Sequence, residues 1–226
     1  METVKIFIGY DKREKIAYDV CKFSIEKHSS IPTEIVPLKQ DYLRSTGLFY
    51  RDIDPLSSTE FTFTRFLIPE LMSYSGMAIF CDCDFLFTQD IKNLVDQFNS
   101  DKALQVVKHN YTPTNIYKMD GSKQTVYDRK NWSSLVLWNC GHEANKKLTS
   151  KLVNTESGLF LHQFKWLSDN DIGEIDRRWN HLVGVNSSTE LPYGIHYTNG
   201  GPWFDNYKDC EYHDVWIRYY NEMISI

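Results

Sequence analysis

The chain has 226 residues, of which 42% are hydrophobic and 15% aromatic, and this is enough apolar material for one sizeable core. Its formal net charge of −5 comes without a basic cluster long enough to follow a phosphate backbone, so nucleic acid is excluded as the expected partner. No apolar run of roughly 18 residues occurs, and the N-terminus reaches charged residues too early for a secretory signal. We therefore expect one domain over residues 1–226 in a cytoplasmic protein without a membrane span, and peripheral association with a membrane stays open.

Apolar residues recur with strand and helix periods in alternation. The stretch "VKIFIGY" is typical of a strand, and "EKIAYDVCKFSIEKHS" is typical of an amphipathic helix. Further strands are predicted in TEIVPL, MAIFCDCD, ALQVVKH and SSLVLWN, and further helices in FTRFLIPELM, DIKNLVDQF, NKKLTSKLVN, GLFLHQFKWL and VWIRYYNEMI. The segment FTRFLIPELM is expected to kink or begin near Pro69, and Asp90 is placed to cap DIKNLVDQF. This alternation predicts an α/β fold with a mostly parallel central sheet flanked by helices.

Two carboxylates, Asp82 and Asp84, stand one residue apart at the end of the apolar stretch "MAIFCDCDFLF". Burying an ionised carboxylate is costly unless a cation or hydrogen-bond donors compensate. In open α/β sheets ligands lie beyond the carboxyl ends of the strands, where residues i and i+2 can converge on one point. Carboxylate oxygens there suit Mg²⁺ or Mn²⁺, and such ions complete their shell with phosphate oxygens. The pattern predicts a divalent metal site that binds a diphosphate ligand.

A third acidic residue, Asp11, follows the first strand directly in "IFIGYD". Gly9 would allow the backbone to approach a ligand closely, and the next helix offers free N–H groups. The alternative is that Asp11 only caps the helix beginning near Arg13. The residues alone leave both roles open.

His196 lies in "GIHYTNGGPWF", a short strand-like piece followed by glycines. A lone histidine is more often structural than ligating. Here Gly200, Gly201 and the Pro202-Trp203 pair mark a tight loop with close backbone approach, which favours a functional role.

Motifs of other enzyme classes narrow the choice. Neither G-x-G-x-x-G after the first strand nor G-x-x-x-x-G-K-[ST] occurs, so a nicotinamide or P-loop enzyme is not expected. A haloacid-dehalogenase-like phosphatase with Asp82 as nucleophile is an alternative, although Leu86 stands where that pattern expects Thr or Val. A non-catalytic carbohydrate-binding domain is another. Cys81 and Cys83 lack a second Cys or His pair at zinc spacing and are expected to be small core residues, and the five cysteines are expected to be reduced thiols.

Taken together, these segments resemble the GT-A glycosyltransferases, and among them the family 8, glycogenin-like branch. The stretch "FCDCDFLF" resembles the D-x-D motif, and "IFIGYD" resembles the first strand with its uridine-binding Asp. The helix "FTRFLIPEL" and the loop "HYTNGGPW" resemble two further family motifs, so that the match extends over most of the chain. The resemblance implies a single GT-A (Rossmann-like) domain that transfers a sugar from a nucleotide-diphosphate donor, with UDP-sugar favoured, to a glycan or glycoconjugate acceptor.

The resemblance also implies roles for individual residues. Asp82, Asp84 and His196 would ligate Mn²⁺ or Mg²⁺, which bridges the diphosphate of the donor. Asp11 would read the base, and Arg65 would contact the donor. The remaining motif positions that the resemblance places at the cofactor are Gly9, Tyr10, Cys83, Gly200 and Gly201.

The chain departs from the family pattern in three places. The C-terminal loop is one residue shorter and lacks the family's Lys. Trp132, Ser133 and Ser134 stand where the family has residues that shape the donor-sugar pocket. We expect Ser133 and Ser134 to line that pocket. The segment "SDND" resembles the family's D-Q-D only faintly. A retaining mechanism would place Asn170 near the anomeric carbon and Asp169 or Asp171 on sugar hydroxyls, and the alternative is a polar turn after a helix.

Overall fold

The computed structural model describes residues 3–52, 54, 57–110 and 128–226. Over these residues the chain forms nine strands and seven α-helices. The strands are β1 (Val4–Gly9), β2 (Thr33–Leu38), β3 (Met77–Cys81), β4 (Phe85–Phe87), β5 (Leu104–Val106), β6 (Leu135–Asn139), β7 (Ile172–Glu174), β8 (His181–Leu182) and β9 (Gly194–His196). The helices are α1 (Lys15–His28), α2 (Gln40–Ser45), α3 (Ile68–Leu71), α4 (Ile91–Val95), α5 (Ser150–Thr155), α6 (Gly158–His162) and α7 (His213–Ile224).

The central sheet has the strand order β2-β1-β3-β6-β5-β7. Strand β1 pairs in parallel with β2 and β3, and β5 pairs in parallel with β7. Strand β6 runs against both of its neighbours. The sheet is therefore mostly parallel with one reversed strand, and the predicted α/β fold is confirmed.

The reversed strand determines which residues meet at the carboxyl edge of β1 and β3. Ile8 is in register with Cys81, and Cys81 is in register with Leu135, the first residue of β6. The residues just before β6 therefore arrive where β1 and β3 end. Strand β7 runs parallel to β3, so the residues that precede it lie at the opposite edge of the sheet.

A second sheet of three short strands, β4-β9-β8, stands beside the first and was not predicted as a sheet. Its register pairs Phe85 with His196, which brings the C-terminal histidine next to the strand that follows Asp84. Helix α1 packs on β4 and on α7. Its buried Ser24 hydroxyl accepts a hydrogen bond from the Phe87 N–H at 3.0 Å, and this contact ties the two sheets together through α1.

Most predicted elements are present, several of them shorter than the pattern indicated. Strand β2 has the predicted bounds, and Asp90 caps α4 by accepting from the Lys92 N–H at 3.0 Å. The segment around Pro69 changes from a 3₁₀ turn at Thr64–Leu67 into α3, with the proline in the first turn of α3. Helix α2 and strands β4, β7 and β8 were not predicted. All five cysteines are free thiols, and among the described helices none is both long and apolar enough to cross a membrane.

Candidate metal and nucleotide site

A cavity of about 630 Å³ opens at the carboxyl edge of β1 and β3. Its wall is formed by residues that follow the strands, by the turn before β6, by the N-terminal turn of α6 and by the loop after β9. Of the residues predicted from the sequence, six line this cavity: Arg65, Asp82, Asp84, Ser133, Ser134 and His196.

The carboxylates of Asp82 and Asp84 meet the imidazole of His196 inside this cavity. Each side chain offers one oxygen or nitrogen, and these three atoms lie within 4.8 Å of one another. The Nε2 atom of His196 is 3.4 Å from Oδ1 of Asp84. The histidine is only 2% exposed, and its ring stacks on Phe85 with a centroid distance of 4.4 Å. Two carboxylate oxygens and one imidazole nitrogen in this arrangement are a suitable ligand set for a divalent ion.

Arg65 holds one side of this cluster. Its Nη1 donates to Oδ1 of Asp82 at 2.6 Å and to the Ser133 carbonyl at 2.9 Å. The guanidinium lies over the rings of Phe61 and Phe80, with distances to the ring centroids of 5.2 and 5.0 Å. Both partners of this ion pair are largely buried, with side-chain exposures of 7% for the arginine and 16% for the aspartate. Removal of either partner would leave the other charge buried and uncompensated, which strongly destabilises a protein.

Glu14 is a further acid in the cavity wall, and the sequence did not single it out. Burial raises its pKa to about 8, with further contributions from the charges of Asp84 and Asp11. Arg13 and Trp203 oppose this shift only in part. The Glu14 carboxyl is therefore mainly protonated at neutral pH, and it adds little negative charge to the cluster.

Asp11 is fully buried, and protein groups hold its carboxylate on both oxygens. Oδ1 accepts from the backbone N–H of Arg13 at 2.9 Å and from its Nε at 3.0 Å. Oδ2 accepts from Nη2 of Arg13 at 2.7 Å and from the Glu60 N–H at 3.2 Å. Burial alone would raise the pKa of Asp11, but these hydrogen bonds and the charge of Arg13 lower it overall. The residue caps the 3₁₀ turn Lys12–Glu14, which is the alternative role that the sequence left open.

The glycines of the predicted site have packing roles. A Cβ atom at Gly9 would come within 2.5 Å of the Phe61 ring, and one at Gly201 within 2.0 Å of the Trp203 ring. Gly200 has φ of +127°, a backbone conformation that favours glycine. At Gly9 and Gly201 the close approach expected from the sequence is therefore made by an aromatic side chain of the protein itself.

Tyr10 and Cys83 also contact the protein rather than the cavity. The Tyr10 ring packs edge-on against Tyr18 with a centroid distance of 5.2 Å. Cys83 is 1% exposed and belongs to the hydrophobic core, as its residue type suggested. Among the described residues, the cavity wall includes neither of them.

The segment Asp169–Asp171 lies away from the cavity wall. It forms a 3₁₀ turn directly before β7, at the edge of the sheet opposite to Asp82. The side chain of Asp169 is 87% exposed and pairs with Arg129. The carboxylate of Asp171 accepts from the backbone and hydroxyl of Ser168 and so completes a capping box. The sequence-based assignment of Asn170 as the residue near the anomeric carbon stays a prediction.

The cavity also contains polar residues that sequence reasoning missed. His162 at the end of α6 lines the cavity, and its Nδ1 lies 2.7 Å from the Ser133 hydroxyl. Arg51 lines it too, held by the carbonyls of Val153 and Glu156 at 3.2 and 2.6 Å. Neither residue stands in a recognisable motif. For His162, the sequence offered one signal, namely that this histidine stands among the apolar residues of the predicted helix GLFLHQFKWL.

Comparison with solved structures gives the same fold at low sequence identity. The chain matches the bifunctional glycosyltransferase WbbM with a TM-score of 0.67 and 14% identity, covering 99% of the chain and 51% of WbbM. It matches the glycosyltransferase GlyE of Streptococcus pneumoniae TIGR4 with a TM-score of 0.65 and 14% identity, covering the whole chain and 63% of GlyE. The galactosyltransferase LgtC, solved with donor and acceptor sugar analogs, matches with a TM-score of 0.59 and 12% identity over 97% of the chain and 96% of LgtC. The chain thus spans about half of WbbM and less than two thirds of GlyE.

These neighbours are GT-A-type glycosyltransferases, and the chain has their fold. No protein-family model matches the sequence. A curated relative does match: "Protein CDI" of Arabidopsis thaliana is 54% identical over 224 residues, which cover 97% of this chain and 85% of that protein. With this identity over nearly its whole length, the chain belongs to the family of Protein CDI.

Proposed function

We propose that the protein is a metal-dependent glycosyltransferase, which transfers a sugar from a nucleotide-diphosphate donor, a UDP-sugar by preference, to a glycan or glycoconjugate acceptor. The observation that carries the proposal is the convergence of Asp82, Asp84 and His196 in a cavity at the carboxyl edge of a GT-A-type sheet. The D-x-D resemblance and the structural neighbours support it. Residues 1–226 are proposed to act as one transferase domain.

The charges of the cluster fit a divalent ion. Asp82 and Asp84 contribute two negative charges, and Arg65 balances one of them at 2.6 Å. Since its raised pKa keeps Glu14 mainly protonated at neutral pH, Glu14 adds little to these charges. A bound Mn²⁺ or Mg²⁺ would make the site positive, and it would supply electrostatic stabilisation of the diphosphate leaving group.

The residues of the chain itself would then bind and orient the donor. Cleavage of the anomeric C–O bond leaves negative charge on the diphosphate, and four cationic side chains among the described residues line the cavity: Arg13, Arg51, Arg65 and Lys130. Preorganised cations of this kind stabilise a developing anion without further rearrangement. The hydroxyl of Ser133 and the ring of His162 offer polar contacts at the same cavity.

The stereochemical part of the proposal is retention, which rests on the resemblance to family 8. Proton NMR of the first-formed product tests it, because the anomeric configuration of the product is compared directly with that of the donor. A product of opposite configuration would reject retention and would require a carboxylate base near the acceptor.

The metal requirement is tested by calorimetry and thermal shift with UDP, GDP and UDP-sugars, in the presence and absence of Mn²⁺. A ligand that binds the folded state raises the melting temperature, so wild type should respond to UDP-sugars strongly only with Mn²⁺. Asp84→Asn and His196→Ala should lose this response. His181→Ala is the matched control, because His181 is also buried in the small sheet, at 5% exposure, but lies outside the cavity wall.

The same assays separate the competing functions. Manganese-independent binding of the nucleotide in wild type, or unchanged binding in both site variants, would contradict the proposed metal site. Release of phosphate from an aryl phosphate would instead favour a phosphatase with Asp82 as nucleophile. Sugar binding without nucleotide binding would favour a carbohydrate-binding domain.

A further inference from the structure

A series of hydrogen bonds leads from the turn before β6 to His196. The Ser134 hydroxyl lies 2.7 Å from the Asn131 carbonyl, and a carbonyl can only accept, so Ser134 donates its proton there. The Ser134 oxygen is then an acceptor for Nδ2 of Asn180 at 2.9 Å. Nδ2 of Asn180 also lies 3.5 Å from the Asn131 carbonyl. Because both acceptors lie at the same end of the Asn180 amide, the atom at that end is the nitrogen, which donates to them.

The orientation of this amide determines the tautomer of His196. With Nδ2 directed at Ser134, the amide oxygen of Asn180 faces Nδ1 of His196 at 2.9 Å. That oxygen can only accept, so Nδ1 of the imidazole carries the proton. In a neutral imidazole the lone pair is then on Nε2, the atom that faces Asp84 at 3.4 Å. Exposures of 0% for Asn180, 2% for His196 and 3% for Ser134 keep water from rearranging these bonds.

We propose that Asn180 is a positioning residue, which acts through His196 and, with Ser134, holds the imidazole in the Nδ1–H tautomer so that Nε2 is ready to bind a divalent cation. The inference rests on the metal site of the proposed function. Outer hydrogen-bond partners of a ligating histidine typically change metal affinity by about 10- to 100-fold when they are removed. Asn180 itself does not contact the ion.

The tautomer is measured on metal-free protein by ¹⁵N NMR of histidine-labelled samples, at a pH about two units above the ordinary histidine pKa of about 6.5. Wild type should have the proton on Nδ1 of His196. Asn180→Ala should lose this preference. Ser134→Ala should show a mixture of the two His196 tautomers, because the Asn180 amide can then exchange its oxygen and nitrogen ends. A proton on Nε2 in wild type would overturn the proposal, whether or not the protein binds metal.

Metal affinity is measured by calorimetry with Mn²⁺ alone. Asn180→Ala should weaken Mn²⁺ binding about 10- to 100-fold. Asn180→Asp keeps an acceptor for the Nδ1 proton and should bind Mn²⁺ within about threefold of wild type, because a carboxylate is a common outer partner of a metal-ligating histidine. Since Asn180→Asp buries a charge, its melting temperature should fall at least as far as that of Asn180→Ala. If the role of Asn180 were purely structural, Mn²⁺ affinity would instead fall in step with the melting temperature, and Asn180→Asp would bind Mn²⁺ no better than Asn180→Ala.

Asn145→Ala is the matched control. Asn145 is also 0% exposed, and its Nδ2 donates to the carbonyls of Ala103 and Asn139 at 2.7 and 2.8 Å, away from the metal cluster. It should lose stability and keep Mn²⁺ affinity. Equal losses of affinity in Asn145→Ala and Asn180→Ala, or none in the latter, would overturn the proposal. If wild type binds no Mn²⁺, the proposed metal site fails, while the NMR measurement still decides the tautomer.

Discussion

Replacing Arg65 by Met should change stability and metal affinity in opposite directions. The substitution keeps much of the side-chain volume between Phe61 and Phe80 but removes the cation 2.6 Å from Asp82. Removing one partner of a buried ion pair typically costs about 3–5 kcal/mol. In a chain of this size each kcal/mol shifts the melting temperature by about 2–4 °C, so metal-free Arg65→Met should melt roughly 6–20 °C below wild type.

The same substitution should tighten Mn²⁺ binding. A divalent cation bound to Asp82 would share this carboxylate with the Arg65 guanidinium, whose Nη1 lies 2.6 Å from Oδ1, and the two like charges would repel each other in a partly buried site. Loss of that repulsion should lower the Kd for Mn²⁺ about tenfold or more, since about 1.4 kcal/mol corresponds to a factor of ten. Binding of UDP to the metal-loaded variant should weaken, because one cation of the cavity is gone.

Differential scanning fluorimetry and calorimetry with Mn²⁺ measure both effects. Arg178→Met is the control, because Arg178 pairs with Asp176 at 2.5 Å but its side chain is 45% exposed, and exposed pairs contribute less than about 1 kcal/mol. The double variant Arg65→Met/Asp82→Asn should lose less stability than the two single variants lose in sum, because it removes both charges of the pair together. A melting temperature within a degree of wild type, or weaker Mn²⁺ binding in Arg65→Met, would refute this reasoning.

Three further expectations follow from the site. The pKa of Glu14 is raised from its ordinary value of 4.5 to about 8, so between these pH values the folded state holds a proton that the unfolded state has lost. The stability of the metal-free protein should therefore fall as pH rises from about 4.5 to about 8. Glu14→Gln should flatten this decline in urea unfolding measured across pH, and an unchanged slope would contradict the raised pKa. Asp11→Ala should lower stability by about 1 kcal/mol through loss of the cap, and calorimetry with UDP tests the base-reading role, for which a loss of about 1–3 kcal/mol of affinity is expected. Asn170→Ala should reduce transfer if the sequence-based catalytic assignment holds, and full activity would leave Asp169–Asp171 as a capped turn.

The sequence placed Asp82 and Asp84 at one site because their pattern is local, whereas His196 was added to them by the resemblance. Asp82 and Asp84 follow an apolar strand at a spacing that converges at the strand end, and His196 stands in a loop whose glycines mark close packing. Glu14 was missed for the opposite reason. In "DKREK" it looks like one more charge on a solvated turn, whereas in the fold it is buried near the charge of Asp84, 70 residues later in the chain.

The one reversed strand could not be predicted from residue patterns either, because an apolar stretch such as "SSLVLWN" has the same appearance in either direction. Its direction decides what Ser133 and Ser134 do. If β6 were parallel to β3, these two serines would lie at the far edge of the sheet and could contact neither Arg65 nor the cluster. Topology therefore decided whether this part of the sequence belongs to the site.

The turn at residues 131–134 holds the neighbouring site residues mainly through its backbone. Asn131 adopts a left-handed conformation with φ of +64°, which asparagine accepts more readily than most residues. The carbonyl of Ser133 holds Arg65, and the carbonyl of Ser134 accepts from the Asp82 N–H at 2.9 Å. Both contacts use the backbone, so they do not depend on the side chains at these positions. In the tautomer proposal the Ser134 hydroxyl orients Asn180, while the side chain of Ser133 contacts His162 in the cavity.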